Sequence, residues 1–144
     1  MSLRRFDDWP ARLDAFIAFR MNTPFAWGSN DCCLFAADAI VAMTGEDFAA
    51  NNRGKFNSAY SALRFFRFRG PEYGIAELAE ELAALRGIRE VPPLYAQRGD
   101  VMLLERELGE SLGIVSLHGT DIWAPGEEKL ACVPFAQGLR AWRI

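Results

Sequence analysis

The apolar segment from Cys32 to Met43 constrains the fold of this chain more than any other sequence feature. Asp31 before it is a favourable helix N-cap, and Gly45 after it is the residue that most often ends a helix. Apolar side chains point in nearly every helical direction instead of forming one stripe: Leu34, Phe35, Ala36, Ala37, Ala39, Ile40 and Val41. Such a helix must be buried, so the sequence predicts a central helix that the rest of the chain surrounds.

The residues on either side of this helix divide into a helical half and a β-prone half. Helical spacing predicts further helices over 9–20, with Asp8 as N-cap, over 58–69 and over 75–87. From Val91 the pattern changes, because Pro92 and Pro93 interrupt any helix. Short β-prone runs separated by turn residues then predict an antiparallel meander over 101–105, 111–117, 121–124, 130–134 and 140–144. The predicted fold is a single α+β domain over 1–144, with the central helix packed on about five antiparallel strands.

The composition excludes several classes of protein. Apolar residues make up 51% and charged residues 24%, which is typical of globular domains and argues against disorder. The formal net charge of −3 argues against a nucleic-acid-binding protein. No apolar stretch is long enough to span a bilayer, and the segment Met1–Leu13 does not resemble a signal peptide. Three cysteines, two of them adjacent, indicate reduced thiols and a cytoplasmic origin.

Residues 51–70 contain five basic side chains and no acidic one. The basic residues are Arg53, Lys55, Arg64, Arg67 and Arg69, and three phenylalanines lie among them at 65, 66 and 68. Two interpretations remain open for this segment. It is either a solvated helix face above core aromatics, which is the commoner case, or a patch that holds an anionic partner.

Cys32 is the residue with the clearest chemical potential. It would lie in the first turn of the central helix, where free N–H groups and the helix dipole favour a thiolate. The alternative is that Cys32 and Cys33 are small apolar core residues, which is the commoner state of a free cysteine. A zinc site made by the three cysteines and His118 is not expected, because adjacent cysteines lack the two-residue spacing of zinc knuckles. No metal or cofactor is predicted.

Three sequence blocks resemble those of the NlpC-like cysteine peptidases, papain-related enzymes that cut peptidoglycan stem peptides. The blocks are 25–32 (FAWGSNDC), 97–104 (QRGDVMLL) and 111–115 (SLGIV). The overall pattern, including the closing Ala141-Trp142-Arg143, is similar to a small family from tailed phages and prophages that sits among tail genes. The resemblance implies a papain-like fold with Cys32 in the position of the nucleophile.

The same resemblance implies that the rest of the catalytic set is missing. The imidazole that would deprotonate Cys32 aligns with Ser111, and the residue that would orient this imidazole aligns with Trp123. His118, the single histidine, lies seven residues beyond Ser111 in a predicted exposed turn, so it is not expected to act as the base. Cys32 is therefore predicted to be a vestigial nucleophile. The predicted binding residues around it are Trp27, Asp31, Ser111 and Trp123.

These features predict a structural or adaptor protein of a phage or prophage tail, at the tail tip, with a disabled NlpC-like site. Such a protein would be made in the host cytoplasm and would contact other tail proteins in the virion. Two alternatives remain open. One is an active cysteine hydrolase or amidase that cuts peptidoglycan stem peptides with an unconventional base or one lent by a neighbouring chain. The other is a module that binds cell-wall peptides without cutting them.

Overall fold

Four α-helices precede a six-stranded sheet in the part of the chain that the computed structural model describes, residues 3–107 and 109–144; Met1, Ser2 and Leu108 lie outside it. The helices are α1 (Trp9–Arg20), α2 (Leu34–Thr44), α3 (Ala59–Arg69) and α4 (Ile75–Leu85). The strands are β1 (Glu90–Val91), β2 (Val101–Arg106), β3 (Gly109–Val115), β4 (Asp121–Ala124), β5 (Ala131–Pro134) and β6 (Arg140–Trp142). The predicted α+β class is confirmed.

The sheet is antiparallel throughout, with the strand order β1-β6-β2-β3-β4-β5. Strands β2 to β5 form the predicted meander, and β6 returns to pair with the free side of β2. The sheet has six strands instead of about five because β1 pairs with β6 at the edge. A two-residue strand directly before Pro92 is too short to show the alternation that predicts a strand.

Helix α2 lies in the main core, as its apolar composition predicts. Phe35, Ala39 and Met43 are completely buried, and α2 packs on α1 and β3. Gly45 ends the helix in a left-handed conformation with φ of 80°, and its N–H donates to the Val41 carbonyl at 2.8 Å. Val41 itself is 36% exposed, so the expectation that it lies in the helix interior is wrong. The Val41 side chain points to solvent because α1 and the sheet do not surround α2 completely.

The two faces of the sheet belong to two different apolar clusters. Val101 and Leu103 of β2 and Leu112 and Ile114 of β3 pack with α2 in the first cluster. Met102 and Leu104 of β2 and Val115 of β3, together with Ile122, form the second cluster on the opposite face. Because side chains alternate along a strand, this division fixes which face each sheet residue occupies.

The side chains before α3 and α1 differ in whether they cap the helix, and Asp8 before α1 was the predicted N-cap. Ser58 caps α3 by accepting from the Ser61 N–H at 3.1 Å, and the Ser61 hydroxyl accepts from the Ser58 N–H at 3.1 Å. Asp8 precedes α1, but its side chain makes no capping bond; its Oδ1 accepts from Arg12 Nε at 2.7 Å instead. The basic side chain one turn later competes for the carboxylate. None of the helices in the described part of the chain has the length and apolar composition that crossing a bilayer requires.

Candidate functional site

Asp31 organises the turn that leads into α2. Its side chain is completely buried, and Oδ1 accepts from the backbone N–H groups of Cys33 at 3.0 Å and Leu34 at 2.9 Å. Oδ2 accepts from the Gly28 N–H at 2.9 Å. Asp31 thus does what an N-cap residue does, and it also closes the preceding loop. A carboxylate that is buried and holds three N–H groups has a structural role in this turn.

Cys32 lies in this turn, two residues before α2 begins at Leu34, so the prediction that it lies in the first turn of the helix is wrong. The helix begins later because the Asp31 side chain holds the N–H groups of Cys33 and Leu34 in the turn. Cys32 is buried. Its backbone carbonyl accepts from the N–H of Leu112 on β3 at 2.9 Å. Strand β4 pairs with β3 only at Ile114 and Val115, so this part of the β3 edge is available to the Cys32 backbone. The structure therefore brings Cys32 next to the 111–115 block.

Ser111 is also buried, but its side chain lies on the other face of the sheet. Ser111 lies directly opposite Leu104 of β2, and Leu104 belongs to the second cluster. The next residue of β3, Leu112, belongs to the first cluster together with Cys32. Side chains that are directly opposite on paired strands share a face. The Ser111 hydroxyl accordingly points away from α2 and lies 3.4 Å from the Leu112 carbonyl oxygen. Ser111 is not placed to take a proton from Cys32.

His118 and Trp123 lie together, near α1. His118 is exposed in the turn between β3 and β4, as predicted. Both residues line a cavity of about 150 Å³, together with Asp14 of α1 and the buried Ser116. Neither Trp27 nor Cys32 lines this cavity, although Cys32 belongs to the first cluster and both Trp27 and Trp123 pack against it.

Trp27 belongs to a chain of aromatic contacts instead. Its ring meets Phe25 edge-on, with 4.9 Å between centroids, and Phe56 with 6.2 Å between centroids. Phe56 continues the contact to Phe65 and Phe66 of α3. Such geometries stabilise a loop against a helix. Trp27 therefore anchors the loop before Asp31 onto α3.

Cys33 faces an apolar cavity of about 60 Å³ between α2, α4 and the sheet, whose lining includes Leu112 and Trp142. A hydrogen bond with Cys32 and burial raise the pKa of the Cys33 thiol well above its ordinary value, and the nearby Asp31 charge adds to the effect. The ligand atoms of Asp31, Cys32 and Cys33 lie within 4.8 Å of one another. Thiolates are the form that binds metal ions, so a raised pKa at Cys33 opposes metal binding by this group.

Asp100 is the buried polar residue whose partners sequence reasoning missed. Its carboxylate is completely buried and bonds Arg5 at 3.1 Å and Arg143 at 3.0 Å. It also accepts from the backbone N–H groups of Gln97 at 2.8 Å and Ile144 at 3.1 Å. The Gly-Asp pair at 99–100 is visible in the sequence, but nothing there shows that residues near both ends of the chain converge on it.

Arg5 completes this cluster, which we call the Asp100 clamp: Asp100, Arg5 and Arg143. The Arg5 guanidinium lies 4.0 Å from the ring centroid of Trp9, and its Nε donates to the Ile144 carbonyl at 2.9 Å. Burial lowers the pKa of Arg5, whereas the Asp100 charge opposes this change. The adjacent Gly99 has φ of +84°, and a Cβ there would lie 2.9 Å from the Trp9 ring. Only a glycine at position 99 leaves room for the Trp9 ring.

Taken together, the fold and the site define a class of protein: a small α+β domain with a buried thiol in the turn that leads into its central helix. A family described as a domain of unknown function (DUF6950) matches residues 4–144. The chain therefore belongs to that family, and the match covers almost its whole length. No curated protein matches the chain.

Proposed function

We propose that this protein is a structural or adaptor component of a phage or prophage tail, placed at the tail tip, with an NlpC-like fold and no hydrolytic activity. The tail assignment is supported by the resemblance of the sequence to the family found among tail genes. The loss of activity is supported by the geometry around Cys32. A protein of this kind acts through its surfaces, in contact with other tail proteins.

The observation that carries the non-catalytic assignment is the environment of the Cys32 thiol. A cysteine nucleophile requires an adjacent base within hydrogen-bond reach. Ser111 lies on the opposite face of the sheet, and the position on β3 that faces the first cluster is Leu112. His118 is in an exposed turn that lines a cavity beside α1. Loss of one member of a nucleophile–base pair lowers kcat by roughly 10⁴ to 10⁶.

The alternative of an active cysteine hydrolase would require a base from another chain. Cys32 is only 8% exposed, and its carbonyl is bonded to Leu112, so a partner residue would have to displace packed side chains to reach the sulfur. The alternative of a peptide-binding module has one supporting feature, the cavity beside Trp123. It has the weaker support, because Trp27 and Asp31 serve the local fold.

The first test is the protein content of purified particles from a host that carries the gene. We expect the chain in the particle by mass spectrometry, and in the same fraction as the other tail proteins after disruption. Presence only in the soluble lysate after particle removal would contradict the tail assignment.

The second test is hydrolysis of peptidoglycan stem peptides by the pure protein. We expect no cleavage by the wild type, and none by the Ser111→His variant, because that imidazole would lie on the wrong face of the sheet. Cleavage that disappears in Cys32→Ala and persists in the matched control Cys132→Ala would establish the hydrolase instead. Cys132 is exposed and lies on β5, away from α2.

A further inference from the structure

Helix α3 presents an exposed stripe that combines large apolar side chains with arginines. We call it the α3 stripe: Tyr60, Leu63, Arg64, Arg67 and Phe68. Tyr60 is 70%, Leu63 52% and Phe68 93% exposed. The spacing is that of one helix face, whereas Phe65 and Phe66 point inward and pack with Phe56. Side chains of this size at this exposure on one helix face indicate an interaction surface.

The two arginines of the α3 stripe have no carboxylate partner in residues 3–107 and 109–144. Arg64 lies over the Tyr60 ring at 5.9 Å, and Arg67 reaches only the Tyr73 carbonyl at 3.5 Å. By contrast, Arg69 on the same helix is paired with Glu81 at 3.1 Å. The α3 stripe therefore carries two guanidinium groups that are free to bind carboxylates.

Helix α4 presents the complementary surface. Its exposed side chains follow the same spacing, and we call them the α4 stripe: Glu77, Glu80, Glu81, Ala84 and Leu85. Each glutamate uses a single carboxylate oxygen for bonds within the described chain: Glu77 Oε1 to the Gly74 N–H, Glu80 Oε2 to Arg140 and Glu81 Oε2 to Arg69 and Tyr73. The second oxygen of each is available to another donor. Leu85 is 74% exposed at the end of the stripe.

We propose that the α3 stripe of one copy docks on the α4 stripe of a second copy, with the two helices antiparallel. In this alignment Tyr60 faces Leu85 and Leu63 faces Ala84, so apolar side chains meet. Arg64 then faces Glu81 and Arg67 faces Glu80, so opposite charges meet. Only Phe68 faces a charged residue, Glu77. A parallel alignment places Leu63 against Glu80 and Arg67 against Ala84, and it matches the two stripes less well.

A two-fold axis lets each copy use both stripes, because the contact of α3 on the partner's α4 then occurs twice. Arginine and tyrosine are the residue types enriched in protein interfaces. An anionic membrane is a poorer occupant, since the stripe offers two free cations in a molecule of net charge −3. The same net charge makes nucleic acid a poorer occupant.

The first test is sedimentation of the full chain between about 5 and about 200 µM, a range that resolves micromolar dissociation constants. We expect the mass to rise from 16.1 kDa towards twice that value, and less so at high salt. Leu85→Ser should weaken the association at least about tenfold. The matched control Leu94→Ser, at a residue 80% exposed outside both stripes, should leave it unchanged. A mass that stays at that of one copy, or equal effects of both variants, would overturn the proposal.

The second test is a charge exchange between copies. Arg67→Glu and Glu80→Arg should each weaken self-association. Circular dichroism should show that both variants are folded, because Arg140 still has its ion pair with Glu90 when Glu80 is replaced. An equimolar mixture should recover the wild-type mass, because one contact is native and the other has both charges reversed. No recovery in the mixture, or association that appears only with anionic vesicles or an added acidic protein, would show that the second copy is not the occupant.

Discussion

The protein holds two completely buried aspartates, Asp31 and Asp100, in two different ways. Asp31 accepts three backbone N–H groups, all from residues within three positions along the chain. Asp100 takes Arg5 and Arg143 as well as two backbone N–H groups, and Arg5 is 95 positions away. A carboxylate satisfied by local amides shapes a turn. A carboxylate satisfied by distant guanidinium groups ties the ends of the chain to the sheet.

The two buried aspartates should respond differently to the loss of their charge. Neutralising Asp31 leaves amide groups that a neutral oxygen still satisfies in part, because amides carry no net charge. Neutralising Asp100 leaves two guanidinium groups, of which Arg5 is only 18% exposed, without their counter-charge. Leaving a buried charge unpaired is costlier than leaving an amide unpaired.

The largest expected effect is that of breaking the Asp100 clamp. Asp100→Ala should lower the free energy of unfolding by about 3–5 kcal/mol, and Asp100→Asn should lose most of that amount, because the charge is what the two arginines require. Urea unfolding with linear extrapolation measures both. Asp14→Asn, at an exposed carboxylate, should change stability by less than about 0.5 kcal/mol. An Asn variant as stable as the wild type would show that the charge is not needed.

Removal of the Asp31 carboxylate should lower the free energy of unfolding by less than removal of the Asp100 carboxylate. Asp31→Ala is expected to lower the free energy of unfolding by about 2–3 kcal/mol, since it removes a cap and leaves three N–H groups without their acceptor. Asp31→Asn should recover about half of this loss, because the amide oxygen still accepts. The same urea measurement applies. If Asn and Ala lower the free energy of unfolding equally at position 31 but not at position 100, then the charge matters more at Asp31 than at Asp100, contrary to our expectation.

The surface ion pair between Arg140 and Glu90 should contribute less to the free energy of unfolding than either buried aspartate. The Arg140 guanidinium beside Glu90 lowers the pKa of that carboxyl. A group with a lowered folded pKa contributes stability above its unfolded pKa of about 4.3, and this contribution is lost as pH falls through the folded value. Because Glu90 is 43% exposed, the contribution should be below about 1 kcal/mol.

The check is the pH dependence of stability in wild type and Arg140→Met. The difference in free energy of unfolding between the two should shrink as pH falls from about 5 to about 3. Arg89→Met, also at an exposed arginine, serves as the control and should show a difference that does not change with pH. A difference for Arg140→Met that grows in acid would contradict the lowered pKa.

The smallest expected effect links Asp31 to its neighbouring thiol. The Asp31 charge is one of the causes that raise the pKa of Cys33, so Asp31→Asn should lower that pKa and increase the thiolate fraction at a given pH. Iodoacetamide labelling with peptide mapping should show a few-fold faster reaction of Cys33, relative to the exposed Cys132. A local charge effect should move the pH dependence of Cys33 labelling to lower pH. Acceleration by the same factor at every pH would indicate general opening of the fold in place of a local charge effect.

Much of the fold follows from the sequence because it depends on neighbours along the chain. The spacing of apolar residues predicts α1, α2, α3 and α4 nearly to their observed bounds, and Asp31 acts on amides that are adjacent to it in the sequence. The position of Gly45 likewise marks the end of α2. Caps, turns and helical periods are local properties, so a single sequence contains the information that determines them.

The tertiary structure alone decides which side chains face the core and which residues far apart in the sequence bind each other. The sequence places Ser111 on a strand next to the Cys32 block, but pairing with Leu104 turns its side chain away, and a shift of one residue would have reversed this. The convergence of Arg5 and Arg143 on Asp100 depends on where the chain ends pack. The exposure of Phe68, beside the buried Phe66, depends on which side of α3 the core occupies. Register, packing side and long-range charge pairing are set by contacts between segments that are far apart in the sequence, so no local pattern determines them.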